Sequence, residues 1–157
     1  MNRIFGYARI STPKQNIDRQ VRNILALYPD AEIIREVFTG TKFQGRKEFD
    51  KLINRIHSGD TIVFDSVSRM SRNAEEGFLM YEELFRQSVN LIFLKEPHIN
   101  TDTYKKALQG GIPTTGTNVD YILDGVNKYL LSLAKEQIRL AFEQAEKEVQ
   151  ERGKTKA

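Results

Sequence analysis

An arginine and a serine stand two residues apart near the amino end of the chain, in the stretch Ile4-Phe5-Gly6-Tyr7-Ala8-Arg9-Ile10-Ser11-Thr12. A serine hydroxyl can act as a nucleophile, and a guanidinium group binds phosphate through paired hydrogen bonds. The two side chains together could therefore hold and attack a phosphate ester. The plainer alternative is that Ser11 and Thr12 only cap a helix and that Arg9 is a surface charge.

The residues around this pair predict the carboxyl end of a strand followed by the amino end of a helix. Ile4 to Tyr7 are β-branched or aromatic around one glycine, which is typical of a strand. Thr12-Pro13 is typical of a helix N-cap with proline at the first helical position, and Gln15 stands at capping-box spacing from Thr12. In open α/β sheets such a junction lies in the crevice where ligands bind, and the free N–H groups of the helix favour an anion there.

Three further arginines follow predicted loops or strand ends. Arg46 comes after the glycine-containing loop 39–45, and Arg69 and Arg72 follow the short apolar strand 61–64. The carboxyl ends of parallel strands meet at one edge of a sheet, so these side chains can converge on the serine although they are distant in sequence. Taken singly, each could equally be a solvated charge near a strand end.

Short apolar strands alternate with amphipathic helices through most of the chain. Runs of β-branched and aromatic residues predict strands at 4–7, 31–38, 61–64 and 91–94. Apolar residues at helical spacing predict helices at 17–28, 49–56 and 78–85. Polar and glycine-rich composition predicts loops at 65–73 and 103–117, the second with a short helical turn at 104–108. This alternation predicts an α/β fold with a mainly parallel sheet covered on both faces.

A helical apolar stripe then runs from Val119 to Val149, after a start, Thr117-x-x-Asp120, that resembles a capping box. Unbroken, this helix has about 30 residues and a length of roughly 45 to 50 Å, more than a domain of this size can cover. We expect it to lie partly on the sheet domain and partly on another subunit; the alternative is a helix broken near Gly125 and folded back. The expected division is a sheet domain at 1–117, an oligomerisation helix at 118–151 and a flexible tail at 152–157.

The composition limits the chemistry that the chain can carry. The 157 residues are 39% hydrophobic and 29% charged, which suits one domain with a core. Cysteine is absent and the two histidines, His57 and His98, are far apart, which excludes disulfides and disfavours zinc. The apolar runs are too short to span a bilayer and no signal peptide is evident, so a cytoplasmic protein is expected. The net charge of +3 permits nucleic-acid binding without requiring it.

Four motifs taken together resemble the catalytic domain of serine site-specific recombinases, the resolvase and invertase family. The resemblance rests on Tyr7-x-Arg9-x-Ser11-Thr12-x-x-Gln15, Gln20, Arg46 and Ser68-Arg69-x-x-Arg72. It implies a three-layer resolvase-like fold with a sheet of about four or five strands and a long carboxyl-terminal dimerisation helix. The loop before that helix looks longer than in small resolvases, which points to a large serine recombinase whose DNA-reading domain is absent from this chain.

The resemblance also implies a chemistry. The serine attacks a DNA phosphodiester and leaves a 5′-phosphoserine linkage with a free 3′-hydroxyl, and the reaction needs neither metal nor other cofactor. The implied catalytic residues are Ser11, Arg9, Arg46, Arg69 and Arg72, with Tyr7, Gln15, Gln20, Ser68 and Asp65 in binding or positioning roles. The family usually has aspartate where Ser68 stands; Asp65 lies nearby and could replace it, and the general acid and base remain unassigned.

The partners implied are double-stranded DNA and further copies of the chain, which would form a homodimer and a synaptic homotetramer. No membrane partner is expected, and the implied location is the nucleoid. Two alternatives stay open. A non-catalytic regulatory module could use the same crevice to bind phosphate or DNA without cutting it. A small phosphoesterase could use it on soluble substrates.

Overall fold

The computed structural model describes residues 2–11, 16–38, 45–110 and 112–155, with side chains to Arg152. Within these ranges the chain forms four strands and six α-helices. The strands are β1 Ile4–Ile10, β2 Glu32–Val37, β3 Thr61–Phe64 and β4 Asn90–Phe93. The helices are α1 Asp18–Leu27, α2 Lys47–Arg55, α3 Val67–Met70, α4 Ala74–Arg86, α5 Thr101–Leu108 and α6 Asp120–Thr155, with a 3-10 turn at Pro97–Ile99.

The four strands form one sheet in the order β2-β1-β3-β4, and every neighbouring pair is parallel. Side chains alternate across β1. Phe5 and Tyr7 enter an aromatic core with residues of α2, α4 and α6, whereas Gly6 faces Ile24 of α1 on the other side. Helices therefore cover both faces of the sheet, and the predicted three-layer α/β architecture is confirmed.

Two short segments differ from the sequence prediction. The described helix α1 begins at Asp18, one residue later than the apolar spacing predicts, and Asn16 Oδ1 accepts the N–H of Asp18 at 2.8 Å. Thr12 to Gln15 lie outside the described residues. The predicted loop 65–73 contains α3, which has four residues and is too short to show a helical period in the sequence.

The helix α6 runs unbroken for 36 residues and passes straight through Gly125, so the alternative of a helix folded back there is wrong. A single glycine costs a helix about 1 kcal/mol, which the flanking turns tolerate. The carboxyl-terminal half packs on the sheet domain through Ile138, Phe142 and Ala145. The helix continues to Thr155, into the segment predicted to be a tail. No helix in the described part of the chain is both long and apolar enough to cross a membrane.

Gly77 sets how closely α4 approaches α6. A Cβ atom built at Gly77 would lie 2.6 Å from Phe142 Cδ1 and 2.9 Å from Ser71 Cβ. Gly77→Ala should therefore lower the free energy of unfolding by about 1 to 3 kcal/mol through overpacking. Urea titration followed by circular dichroism measures the change.

Gly125→Ala is the matched control for that prediction, because nothing lies within 4 Å of the corresponding Cβ position. Alanine in an exposed helix should raise the free energy of unfolding by up to about 1 kcal/mol. Equal effects of the two substitutions would contradict the close contact between α4 and α6.

Candidate active site

Ser11 directly follows the last residue of β1 and is half-buried, so the predicted nucleophile stands at the carboxyl edge of the sheet. Tyr7 and Arg9 precede it at alternate positions of the strand and are buried. Alternate residues of a strand share one face, and on this face β1 meets α2 and α3. The strand thus delivers a phenol and a guanidinium to the region where the other arginines lie.

Backbone carbonyl groups hold the Arg9 guanidinium. Its Nη2 donates to the Ser68 carbonyl, its Nε to the Arg69 carbonyl at 3.2 Å, and its Nη1 to the Phe38 carbonyl at 3.4 Å. Arg9 is 2% exposed. A buried cation fixed in this way is not the surface charge of the plainer alternative.

Gln20 fixes the backbone of Arg9. The pairing of β1 with β3 ends at Tyr7, so the peptide groups of Arg9 extend beyond that ladder. Gln20 replaces the missing strand: its Oε1 accepts the Arg9 N–H at 2.9 Å, and its Nε2 donates to the Arg9 carbonyl at 2.7 Å. This geometry makes Gln20 a backbone clamp of the site.

Arg46 is buried at the start of α2 and joins the same region. Its Nη2 and Nε donate to the Tyr7 hydroxyl at 2.9 and 3.2 Å, its Nη1 donates to the Met70 carbonyl, and its Nη2 also donates to the Arg69 carbonyl at 3.2 Å. The guanidinium carbon lies 4.9 Å from the centre of the Phe49 ring. Arg46 therefore binds the framework around the site through all three of its nitrogens.

Glu36 completes this network, and the sequence analysis missed it. The Tyr7 hydroxyl donates to Glu36 Oε1 at 3.0 Å, and the two carboxylate oxygens accept the N–H groups of Phe49 and Glu48 at the start of α2. Glu36 is 4% exposed and pairs in register with Arg9. The sequence did contain a signal: Glu36 lies on the same face of β2 as Ile34, which is the face expected to be buried. A buried carboxylate needs a hydrogen-bonding or charged partner, so its presence there indicates a polar network.

Arg69 and Arg72 meet the other arginines at shared acceptors. Arg69 Nη1 donates to the Arg9 carbonyl at 3.3 Å, and Arg72 Nη2 donates at 3.2 Å to the Phe38 carbonyl that Arg9 also uses. Among the described residues, Arg69 Nε is buried without a hydrogen-bond acceptor. The four arginines predicted from sequence are thus brought together within one chain.

The crowding of positive charge lowers the pKa values of the cluster. Burial, and then the charges of Arg72 and Arg46, lower the pKa of Arg9 from its ordinary value to about 9. Burial also lowers the pKa values of Arg69 and Arg72. Burial of the phenol raises the pKa of Tyr7, so the hydroxyl stays protonated and can donate to Glu36. Burial and mutual repulsion both disfavour the charged forms of these arginines. A bound anion would therefore stabilise the cluster more than it would stabilise isolated, solvated arginines.

Sulfate should stabilise the fold at neutral pH, and the effect should fade as the pH rises through about 9. The folded pKa of Arg9 lies below its unfolded value, so keeping Arg9 charged costs stability below pH 9, and that cost fades as the pH rises from about 9 towards the pKa of an unfolded arginine. An anion among the guanidinium groups offsets that cost only while they are charged. The melting temperature, measured in sulfate and in chloride at matched ionic strength and at several pH values, tests this stabilisation. Equal shifts of the melting temperature in the two salts would contradict the prediction.

The remaining predicted residues take other positions. Asp65 Oδ1 accepts from Asn23 Nδ2 at 2.9 Å and Oδ2 lies 3.2 Å from Lys95 Nζ, so α1 and the end of β4 engage both oxygens. The Ser68 hydroxyl lies 2.9 Å from that of Ser66, while the Ser68 carbonyl holds Arg9. Gln15 lies outside the described residues. In the described part of the chain, no three His, Asp or Glu side chains are grouped to hold a metal ion.

Comparisons with known proteins show similarity to resolvases. A family profile described as "Resolvase, N terminal domain" matches residues 4–154. The chain is 36% identical over 101 residues to the transposon Tn917 resolvase of Enterococcus faecalis, covering 64% of this chain and 52% of that protein. It is 36% identical over 91 residues to the transposon Tn552 resolvase of Staphylococcus aureus, covering 58% of this chain and 45% of that protein.

The fold is also found among solved structures. A serine recombinase from Sulfolobus solfataricus superposes with a TM-score of 0.50 at 16% identity, covering 83% of this chain and 99% of that chain. This chain spans about half the length of the resolvases named above. Because the profile covers nearly the whole sequence, including the strand, the arginines and the long helix, the chain belongs to the resolvase family and contains its N-terminal domain.

Proposed function

We propose that this chain is the catalytic domain of a site-specific DNA recombinase that cleaves and rejoins DNA strands through a 5′-phosphoserine intermediate. The observation that carries the proposal is the convergence of Arg9, Arg46, Arg69 and Arg72 on shared carbonyl groups, at the sheet edge where Ser11 follows β1. Guanidinium groups stay charged at working pH and match the geometry of a phosphate. Membership of the resolvase family supports the same reaction.

In the proposed reaction the Ser11 oxygen bonds to phosphorus and the bond from phosphorus to the 3′-oxygen breaks. The serine hydroxyl loses a proton and the leaving 3′-oxygen gains one, so the phosphodiester count is conserved and the reverse reaction rejoins the strand. Negative charge grows on the non-bridging oxygens as the fifth oxygen approaches. Arg9, Arg69 and Arg72 offset that charge, and the buried Nε of Arg69 is a donor suited to it.

The other predicted residues then have supporting roles. Arg46 and Tyr7 hold α2 and α3 at the site, Gln20 clamps the backbone of Arg9, and Ser68 contributes its carbonyl. Gln15 and Asp65 keep the positioning roles that the resemblance implies. A DNA substrate also implies association with the nucleoid.

Sequencing of covalently trapped DNA tests the function. The protein is expressed in bacterial cells, the lysate is denatured with detergent, and DNA that remains attached to the protein is purified and sequenced. We expect fragments whose 5′ ends are covalently joined to the protein. Binding without any detergent-resistant adduct would favour the regulatory module, and turnover of a simple phosphodiester without adducts would favour the phosphoesterase.

We also propose that a second copy of the chain covers the amino-terminal half of α6, first in a homodimer and then in a synaptic homotetramer. This half, together with Val119 just before it, exposes large apolar side chains that lie mostly along one face of the helix. They are Val119, Tyr121, Ile122, Val126, Tyr129, Leu130 and Leu133. An apolar surface of this length is typical of a protein interface, and two strands of a duplex require two nucleophiles.

Charge placed on this surface should weaken self-association. Ile122→Glu and Leu130→Glu should each raise the dissociation constant at least about tenfold, because an interface would bury the carboxylate without a partner. Lys128→Glu adds the same group at an exposed polar position of α6 and should have a smaller effect. Sedimentation velocity measures the association; a wild-type chain that stays monomeric at every concentration, with and without DNA, would contradict the proposal.

A further inference from the structure

The four-residue helix α3 determines where two of the arginines lie. Its carbonyl groups accept hydrogen bonds from the site: Ser68 and Arg69 hold Arg9, and Arg69 and Met70 hold Arg46. A helix of one turn has almost no stability of its own. Its position must therefore come from contacts with the rest of the fold: Val67 and Met70 are buried in the core, and hydrogen bonds reach its backbone from other segments.

Glu96, in the turn after β4, fixes the amino end of α3. Its Oε1 accepts the N–H of Val67, the first residue of α3, at 3.1 Å. Ser66 occupies the N-cap position but makes no side-chain capping bond, and its hydroxyl contacts Ser68 instead. The sequence of α3, Val67-Ser68-Arg69-Met70, has no acidic residue. The carboxylate that this helix end favours comes from the turn after β4.

Glu96 lies between the end of β4, α3 and α6. The N–H of Glu96 donates to the Phe93 carbonyl at 3.2 Å, which ties the residue to the end of β4. The side chain is half-buried and lines a cavity of about 440 Å³ between α3 and α6, which Ser68 and Arg69 also line. Burial raises the pKa of Glu96, while the hydrogen bond from the Val67 N–H and the charges of His98 and Lys95 oppose the rise and Glu148 adds to it.

We propose that Glu96 is a positioning residue of the active site. It acts because its side chain is long enough for a carboxylate oxygen to accept the hydrogen bond from the Val67 N–H. Through that bond it holds α3, and α3 holds the Arg9 and Arg46 guanidinium groups. The effect on strand cleavage rests on the proposed function. The effect on the placement of the two guanidinium groups is independent of the proposed function.

Two near-isosteric variants separate reach from charge. Glu96→Gln keeps the reach of the acceptor and loses the charge, whereas Glu96→Asp keeps the charge and withdraws the oxygen by one methylene group. Glu96→Ala removes both. Glu75→Ala is the matched control, because Glu75 is an exposed glutamate in the first turn of α4. Circular dichroism and thermal unfolding establish that each variant is folded, and if Glu96→Ala is not, the Gln and Asp pair decides alone.

Hydrogen exchange of the arginine Nε–H groups, followed by NMR on ¹⁵N-labelled protein, reports the placement directly. In the wild-type chain the Nε–H signals of Arg9 and Arg46 should exchange slowly. Exchange should become faster by about fivefold to tenfold in Glu96→Asp and Glu96→Ala. It should change by less than about twofold in Glu96→Gln and in the Glu75→Ala control. Two results would overturn the proposal. One is slow exchange of both signals in Glu96→Asp; the other is an exchange rate in Glu96→Gln that increases as much as in Glu96→Asp.

The adduct assay gives a second measurement. Glu96→Asp should lower the rate of adduct formation at saturating DNA by about tenfold and leave the half-saturating DNA concentration unchanged. A fall in DNA affinity alone would contradict a positioning role. A wild-type protein that forms no adduct would count against the recombinase function, and the exchange experiment would still decide the role of Glu96.

Discussion

Replacing Ser11 with alanine should abolish the covalent protein–DNA adduct, reducing its rate of formation by at least about a thousandfold. The proposed intermediate is an ester of the Ser11 hydroxyl, and without that oxygen no bond to phosphorus can form. Ser11 is half-buried at the end of β1. Loss of one hydroxyl there should change the free energy of unfolding by less than about 1 kcal/mol, so the variant should remain folded.

Three measurements make this result specific. Detergent-resistant adducts are quantified by gel electrophoresis, DNA affinity is measured separately, and mass spectrometry of digested adducts identifies the modified peptide. Ser58→Ala, in the exposed turn before β3, is the matched control and should leave adduct formation unchanged. Adducts that persist in Ser11→Ala, or a nucleotide found on another serine, would overturn the assignment of the nucleophile.

Replacing Arg46 with methionine should lower the free energy of unfolding by about 3 to 5 kcal/mol and also stop cleavage. Arg46 is 2% exposed, and its charge lies in one buried network with Tyr7 and Glu36. Methionine fills much of the same space, but it removes a cation from the buried network that includes the Glu36 carboxylate and leaves the Tyr7 hydroxyl without the donors that Arg46 supplies. The carbonyl groups of Arg69 and Met70 also lose a donor, so α3 is released from one of its anchors.

Urea titration measures the stability of Arg46→Met, and the exposed Arg35 on the same sheet provides the control. Arg35→Met should change the free energy of unfolding by less than about 0.5 kcal/mol. Glu36→Gln should recover part of the loss when combined with Arg46→Met, because the two groups share one network. Additive effects of the two substitutions would show that the buried network does not couple them.

The sequence by itself predicted the architecture and the set of arginines. Short β-branched strands such as 61–64, separated by amphipathic helices, predict a covered parallel sheet, because a strand buried on both faces must be apolar throughout. The boundaries of β3 agree with the prediction to the residue. The motifs that contain Arg9, Ser11, Arg69 and Arg72 resemble those of the serine recombinase family. Separately, the predicted topology brings the strand ends that carry them to one edge of the sheet.

Tertiary structure decided the features that depend on contacts between distant segments. Glu36 looks like an ordinary strand residue until Tyr7 and the start of α2 enclose it. The helix α3 has no period to detect, and its anchor, Glu96, lies 29 residues away. The apolar stripe of α6 is continuous in the sequence, yet its carboxyl-terminal half is covered and its amino-terminal half exposed. Local periodicity records which faces are apolar, whereas only the packed fold determines which charges and backbone groups must satisfy one another.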